Sequence, residues 1–319
     1  MRVFLLSVAL LVATVASGQL VFPDGSTQTT AFPTPNNVVY VPATGTDGDN
    51  GSDLRDAIAA ISDASFGNPY VIQLDPGTYD VGATTLTLKD GVHIKGAHFD
   101  STEIEGSAAT ILSLTAGYAT ISDCRLENKT GAQTIFQATG TETEAELLDV
   151  IVEIKDGSTG TVTGVAASGG ADVVLSRCII EFDGTRSGST TLGVSITGTN
   201  TSCDVLHSEI DIIEIASATA SAIGVRSGSG SEIEIFSSRI EGSNEADGTG
   251  RAIDVLSGGE VICTGAEVVS NQTALSNAGG FAGMAVLFFG TIPAENPPTG
   301  PGDSTFTLYS QCSLEYADL

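Results

Sequence analysis

A repeat about 30 residues long governs the second half of this chain. A Gly-Val pair or a similar strand start recurs at Gly164-Val165, Gly193-Val194, Gly224-Val225 and Asp254-Val255. A second, acid-tipped strand follows the first three: Ile180-Glu181, Ile210-Asp211 and Ile240-Glu241. A fixed period of this size with no helical pattern makes each repeat one coil of a solenoid. Such a coil cannot bury its apolar side until a neighbour stacks on it. The residue supply agrees, because the 41% apolar content is mostly Val, Ile, Leu and Ala, and 38 glycines serve the turns.

The acid-tipped strand reaches further back than the Gly-Val pair. Ile104-Glu105, Leu126-Glu127, Val152-Glu153, Ile180-Glu181, Ile210-Asp211 and Ile240-Glu241 align, with spacings of 22, 26, 28, 30 and 30 residues. Alternation along a strand turns each aliphatic residue inward and each acid outward. A constant strand with variable spacing puts the extra residues in turns such as 183–189 and 244–250, where solenoids carry specificity. Upstream, strands are predicted at 70–74, 78–81, 85–88, 92–94 and 102–105. Residues 19–51 read as an extended polar arm that ends in a strand at 38–41. A short helix follows: Leu54, Ala57, Ile58 and Ile61 make one apolar stripe, with Asp53 and Asp56 at its cap. It would close the open end of the core and shield the first backbone edge. Strands at 286–289 and 305–309, around a Pro/Gly-rich loop at 293–302, would close the other end.

Residues 1–18 read as a secretory signal peptide: Arg2, an apolar run from Val3 to Val15, then small residues Ala16-Ser17-Gly18. The run is too short to span a bilayer, and no later stretch qualifies, so no membrane insertion is expected. Twelve basic residues against 39 acidic ones give a net charge of -27. That balance excludes nucleic acid as a partner, since counterion-release binding needs Lys and Arg. Among five cysteines, Cys124 and Cys178 fall at matching positions two coils apart, as do Cys203 and Cys263 more loosely. At about 4.8 Å per coil such pairs are out of disulfide reach, and they read as small buried apolar residues.

The stretch from Leu54 to Gly106 resembles the pectin lyase-like superfamily of right-handed parallel β-helices. It runs from the capping helix through Tyr70-Val71-Ile72-Gln73-Leu74-Asp75-Pro76-Gly77-Thr78-Tyr79 and Leu88-Lys89-Asp90-Gly91-Val92-His93-Ile94-Lys95-Gly96 to Ser101-Thr102-Glu103-Ile104-Glu105-Gly106. This order is similar to the N-terminal turns of pectin methylesterases. With the later repeats the resemblance covers about residues 52–270, and it implies an all-β, right-handed parallel β-helix domain over 52–319. The family's active-site motifs are absent. There is no Gln-Asp, Asp-Phe and Arg set of a methylesterase and no Gly-His-Gly of a polygalacturonase, and Arg177, Arg226, Arg239 and Arg251 sit in no lyase motif. A second segment, residues 21–31, resembles arms found in phage tail fibres and bacterial surface proteins and hints at attachment.

The sharpest constellation is the acidic column, Glu105, Glu127, Glu153, Glu181, Asp211 and Glu241. Stacked about 4.8 Å apart, adjacent unit charges repel by about 0.9 kcal/mol in bulk water, a cost that a bound cation would remove. Carboxylates are ligands that Ca2+ takes, so the column is a candidate calcium ladder; the bland reading is a solvated charged face. Arg125 and Arg239, two residues before column members, would offset part of the charge. Asp47-Gly48-Asp49-Asn50-Gly51-Ser52-Asp53 has acids at alternating positions, but Ile58 stands where an EF-hand places its Glu, so it reads as a polar loop. His93, His98 and His207 have no zinc spacing. Acid pairs Glu209/Asp211 and Glu232/Glu234 read as charge patterning, and Phe182 and Phe236 as core or turn residues. The sequence thus favours a secreted or cell-surface module, non-catalytic, with a polysaccharide or cell-surface component as partner and Ca2+ as the one cofactor in view. The alternative is a polysaccharide lyase or carbohydrate esterase. A flat face would favour binding alone, and a cleft with convergent acids, a cation and a perturbed pKa would favour an enzyme.

Overall fold

In a computed structural model of the chain, the described residues are 20–21, 27–28, 37–129, 134–155, 160–184, 190–214, 219–245, 249–256, 258–270, 275–277 and 286–291. From Tyr70 to Val255 each coil lays down three strands, one on each of three parallel sheets, faces A, B and C. Face A holds Tyr70–Leu74, Val92–Lys95, Gly117–Ser122, Thr143–Leu148, Asp172–Ser176, Ser202–Leu206 and Glu232–Phe236. Face B holds Gly77–Asp80, Thr102–Gly106, Arg125–Asn128, Ile151–Glu153, Ile179–Gly184, Glu209–Glu214 and Arg239–Asn244. Face C holds Leu86–Leu88, Thr110–Leu114, Thr134–Thr139, Val162–Ser168, Thr190–Thr197, Ser221–Gly228 and Thr249–Val255. An eighth coil begins with Glu260–Val269, which crosses faces A and B, and Val286–Thr291 pairs with it in parallel. Seven full coils at about 4.8 Å make a rod section roughly 34 Å long. The expected leader at 1–18, the loop at 293–302 and the strand at 305–309 lie outside the described residues. Among the described residues, no helix is long and apolar enough to cross a membrane.

Each coil contributes the same residue types to the interior. Ile104, Leu126, Val152, Ile180, Ile210 and Ile240 pair in register down face B, and all are fully buried. Burying one such side chain contributes about 1.5–3 kcal/mol, and none of it is gained until the next coil docks. The Gly-Val file of face C is also real, with one correction. Val225 pairs with Ile253, so the in-register successor of Gly224 is Ala252 rather than Asp254. The interval shortens there, and a constant 30-residue step overshoots by two.

From the third coil onward faces A and B meet at a corner made by one left-handed residue per coil: Asp123, Asp149, Arg177, His207, Ser237 and Gly265, with φ between 47° and 63°. Five of these are not glycine, and each left-handed L-residue costs about 1–2 kcal/mol. The corner N–H groups offset this by bonding to the next coil, as in Arg177 N to Leu206 O and His207 N to Phe236 O, both 3.0 Å. Immediately after the corner, a small residue turns inward: Cys124, Val150, Cys178, Ser208, Ser238, Ala266. The Ser208 and Ser238 hydroxyls each accept from the main-chain N–H one coil before, Cys178 and Ser208 respectively, at 3.0 Å. They donate in turn to Leu206 O and Phe236 O. The Cys178 thiol donates to Leu147 O at 3.1 Å. Cys124, Cys178, Cys203 and Cys263 are all buried, as expected of small core residues.

The capping helix, α1, spans Asp47–Ala60 and starts earlier than the apolar stripe indicated. Its N-cap is Thr46, whose hydroxyl accepts from Asp49 N while the Asp49 carboxylate accepts from Thr46 N, a capping box. Asp53 and Asp56 therefore lie inside the helix, residues 47–51 form its first turns rather than a loop, and the boundary expected at residue 52 falls within it. Gly51 is required by packing, because a Cβ there would lie 1.9 Å from Asp80 O. At the far end, Lys89 Nζ donates to the carbonyls of Ile58 (2.8 Å), Ala59 (3.0 Å) and Ile61 (2.5 Å), supplying the positive charge that the helix's own last turn lacks.

The tight glycine file gives a direct check. A Cβ on Gly193 would lie 2.5 Å from Ile210 Cγ2 and 2.6 Å from Gly224 O, whereas one on Gly67 meets nothing within 4 Å. Gly193→Ala should destabilise the protein by about 1–3 kcal/mol and lower the melting temperature, with Gly67→Ala close to wild type.

Candidate functional site

The acidic column forms one continuous file on the outside of face B. Glu105, Glu127, Glu153, Glu181, Asp211 and Glu241 pair residue to residue, and Asp80 extends the file one coil earlier. Four cations are threaded between these seven carboxylates. Lys129 Nζ reaches Asp80 (3.0 Å) and Glu105 (2.5 Å), and Lys155 reaches Glu127 (3.5 Å) and Glu153. Arg125 bonds Glu153 and lies 3.6 Å from Glu181, while Arg239 reaches Asp211 (3.3 Å), Glu241 and the neighbouring Glu209 (3.2 Å). Arg125 and Arg239 were expected from their spacing. Lys129 and Lys155 were missed, although each stands two residues after a file member and so on the same side of its strand.

These pairings decide the ionisation of the file. Burial alone would raise Glu153, yet Lys155 and Arg125 hold it below the usual carboxylate value. Burial likewise opposes the charge on Lys129, but Glu105 and Asp80 keep its ammonium above the ordinary lysine range. The weak point is Glu103, in the flanking file one row over. Its carboxylate oxygen lies within 4.8 Å of those of Glu105 and Glu127, and burial together with these two like charges pushes it up to about 7. Three oxygen donors converge there.

A groove opens on the outside of face A, near the capped end. Its volume is about 500 Å³, and its walls are Phe66 and Pro69 from the loop after α1, Val71, His93, Lys95, Tyr118, Glu144 and Glu146. Val71, His93, Thr120 and Glu146 stack in one file across four coils, and Tyr118 with Glu144 forms the adjacent file. Tyr118 stands edge-on to Phe66 (6.3 Å between centroids) and to His93 (5.3 Å). Its hydroxyl donates to Glu146 Oε2 at 2.7 Å and accepts from Thr120 Oγ1 at 2.9 Å, and burial, then Glu146, pushes its pKa up to about 12. Thr120 N donates to His93 Nδ1 at 3.0 Å, so in neutral His93 the proton sits on Nε2. Burial holds His93 below its usual pKa against the pull of Glu146 and Asp90. An aromatic wall, a neutral imidazole, an ammonium and two carboxylates thus share one concave surface.

Beyond the groove, face A stays acidic. One file runs Glu144, Asp172, Ser202, Glu232, Glu260, and the next runs Glu146, Val174, Asp204, Glu234, Ile262. The pair Glu232/Glu234, read from sequence as charge patterning, belongs to these two files. Among the described residues, none of these seven carboxylates has a Lys or Arg partner within salt-bridge distance, and burial with neighbouring acids raises both Asp204 and Glu232. Phe182 is buried as expected, but Phe236 is not a core residue. It is 44% exposed on face A, edge-on to His207 at 5.7 Å. His98 stacks on Phe99 at 4.1 Å, away from the groove.

The raised carboxyl of Glu103 gives a pH prediction. A carboxyl whose folded pKa (about 7) exceeds the ordinary 4.5 binds more protons folded than unfolded between those values. Stability from it is full below pH 4.5 and is lost as pH rises through about 7. Glu103→Gln should therefore flatten the fall in melting temperature between about pH 4.5 and 7 and leave the variant more stable than wild type at about pH 8.

No protein-family model matches the chain, and no curated protein does. Among solved structures, a pectin methylesterase in complex with a hexasaccharide is 15% identical, with 88% of this chain and 93% of that one covered and a TM-score of 0.52. The pectin methylesterase PemA from Erwinia chrysanthemi is 14% identical, with 77% and 81% covered and a TM-score of 0.49. An identity this low speaks to fold alone, and the first of these structures, taken with the coil-by-coil register above, agrees with the fold expected from residues 54–106: the chain folds as a parallel β-helix of the pectin lyase-like kind.

Proposed function

We propose that this is a secreted polysaccharide-active protein that takes up a sugar chain in the face A groove and does acid–base chemistry on it. The observation that carries this reading is the convergence of Phe66 and Tyr118 with His93, Lys95, Glu144 and Glu146 around one cavity. Sugars stack on aromatic rings and need fixed polar groups to orient their hydroxyls, and concave sites of this size are where ligands bind. The reading departs from the non-catalytic module favoured by sequence, because the face is not flat. It has a cleft with acids, a cation and two perturbed groups, the combination expected of an enzyme.

In this proposal Glu146 and Lys95 handle the proton, Glu144 supports the second polar side, and Tyr118 is the stacking platform. His93 acts as a donor through Nε2–H, because its Nδ1 is already engaged by Thr120 N. The bond acted on is a glycosidic linkage or an ester on the sugar, the lyase-or-esterase alternative. The export signal read in residues 1–18 supports a site of action outside the cell. Calcium is a separate proposal as an accessory ion: Glu103, Glu105 and Glu127 offer it three carboxylates, in competition with Lys129 and Lys155.

Incubating the purified protein with a panel of polysaccharides, with and without Ca2+, and assaying reducing ends, unsaturated products and methanol tests the activity. Wild type should release product from at least one member, and Glu146→Gln and Lys95→Met should each slow turnover by about 100-fold or more. Tyr118→Ala should mainly raise KM. Sugar binding without any product would return the protein to the class of binding modules. For the ion, calorimetry should show Ca2+ heat that disappears in Glu103→Gln/Glu127→Gln, and a silent wild type would remove calcium from the account.

A further inference from the structure

The two acidic faces of this rod are built differently, and the difference bears on which sugar the groove accepts. On face B, each of the seven file carboxylates has a Lys or Arg among Lys129, Lys155, Arg125 and Arg239 within salt-bridge distance. On face A, Glu144 and Glu146 line the groove, and Asp172, Asp204, Glu232, Glu234 and Glu260 continue from it coil by coil with no such partner among the described residues. Among the described residues, Lys95 is the one lysine or arginine that lines the groove.

Resting on the groove reading above, we infer that the sugar chain lies along the rod axis over face A and carries protonated amino groups, as a polymer of amino sugars does. The groove holds one end of the chain against Phe66 and Tyr118. The carboxylate files then meet the following sugars, since a stack with a step of about 4.8 Å presents a negative charge at nearly every coil to a polymer laid along it. At the far end Phe236, exposed beside His207, offers a second ring surface on the same face. An ammonium on the ligand does on face A what the lysines and arginines do on face B: it removes like-charge repulsion between coils. A uronate polymer would add its own carboxylates to the seven already present and would be turned away. Of the chemistries named above, hydrolysis of the glycosidic bond is therefore selected over uronate elimination or methyl-ester cleavage. A neutral polymer gains the stacking without the charge.

Three hexasaccharides of matched length separate these cases: hexamers of glucosamine, N-acetylglucosamine and galacturonate, titrated calorimetrically at about pH 6, with and without Ca2+. At about 20 mM salt the glucosamine hexamer should bind roughly tenfold tighter than the N-acetylated one, an advantage largely lost by about 0.5 M, where screening shortens to a few ångströms. The triple variant Asp204→Asn/Glu232→Gln/Glu234→Gln, which removes repulsion and should melt no lower than wild type, should lose most of that advantage. Equal affinity for the amino and N-acetyl hexamers would overturn the charge inference and leave the sugar groove standing. So would galacturonate binding as tightly as glucosamine, whether or not Ca2+ is present. No binding of any of the three would remove the groove as a sugar site, and this inference with it.

Discussion

Parallel in-register pairing between coils is the constraint from which the rest follows. Once Leu126 is hydrogen-bonded in step with Ile104 and Val152, every position on a strand becomes a file, and whatever a file contains is repeated at a step of about 4.8 Å. For aliphatic residues repetition is favourable, because each new coil buries the last one's apolar surface. For carboxylates it is costly, by about 0.9 kcal/mol per adjacent pair in water before screening. For the left-handed corner it is affordable only because each corner N–H finds the next coil's carbonyl. One geometric rule thus sets three different problems, and the chain answers each with side chains from adjacent coils.

The repeat itself was legible from residues because the inward aliphatic and outward acid sit side by side, Ile180-Glu181 or Ile210-Asp211, and alternation survives changes in spacing. The slip at Asp254 shows the limit: two residues of shortening between coils move a label from Ala252 to Asp254 without disturbing the local pattern. The start of α1 was hidden for another reason. Gly48 and Gly51 are poor helix formers, and a stretch holding both reads as a loop. The Thr46–Asp49 capping box and the close approach of Asp80 to Gly51 are what make a helix there, and the second is a tertiary contact.

The groove was the least legible element. Val71, His93, Thr120 and Glu146 are 22, 27 and 26 residues apart, and no local motif joins them. They become a site only when four coils are stacked and the loop carrying Phe66 and Pro69 folds against them. In the sequence His93 stands alone among three scattered histidines, and Tyr118 is one of few aromatic residues. Aligning the face A strands as the face B strands were aligned would have put Glu146 beside both. A β-helix disperses its site over many intervals, so a search for short motifs overlooks it even where the fold is plain.

The contrast between the faces finally argues against reading all the acids alike. Face B shows that this scaffold can seat a lysine two residues after a file carboxylate, as Lys129 and Lys155 do, or an arginine two before, as Arg125 and Arg239 do. The corresponding positions on face A are open to the same solution. Leu148 follows Glu146 by two, and Phe236 follows Glu234 by two, each on the outer side of its strand. Those places hold apolar residues instead, so the repulsion on face A stays uncompensated beside exposed hydrophobic surface. On the reading proposed above, a cationic sugar chain is the partner that would meet both the charge and the ring on this face.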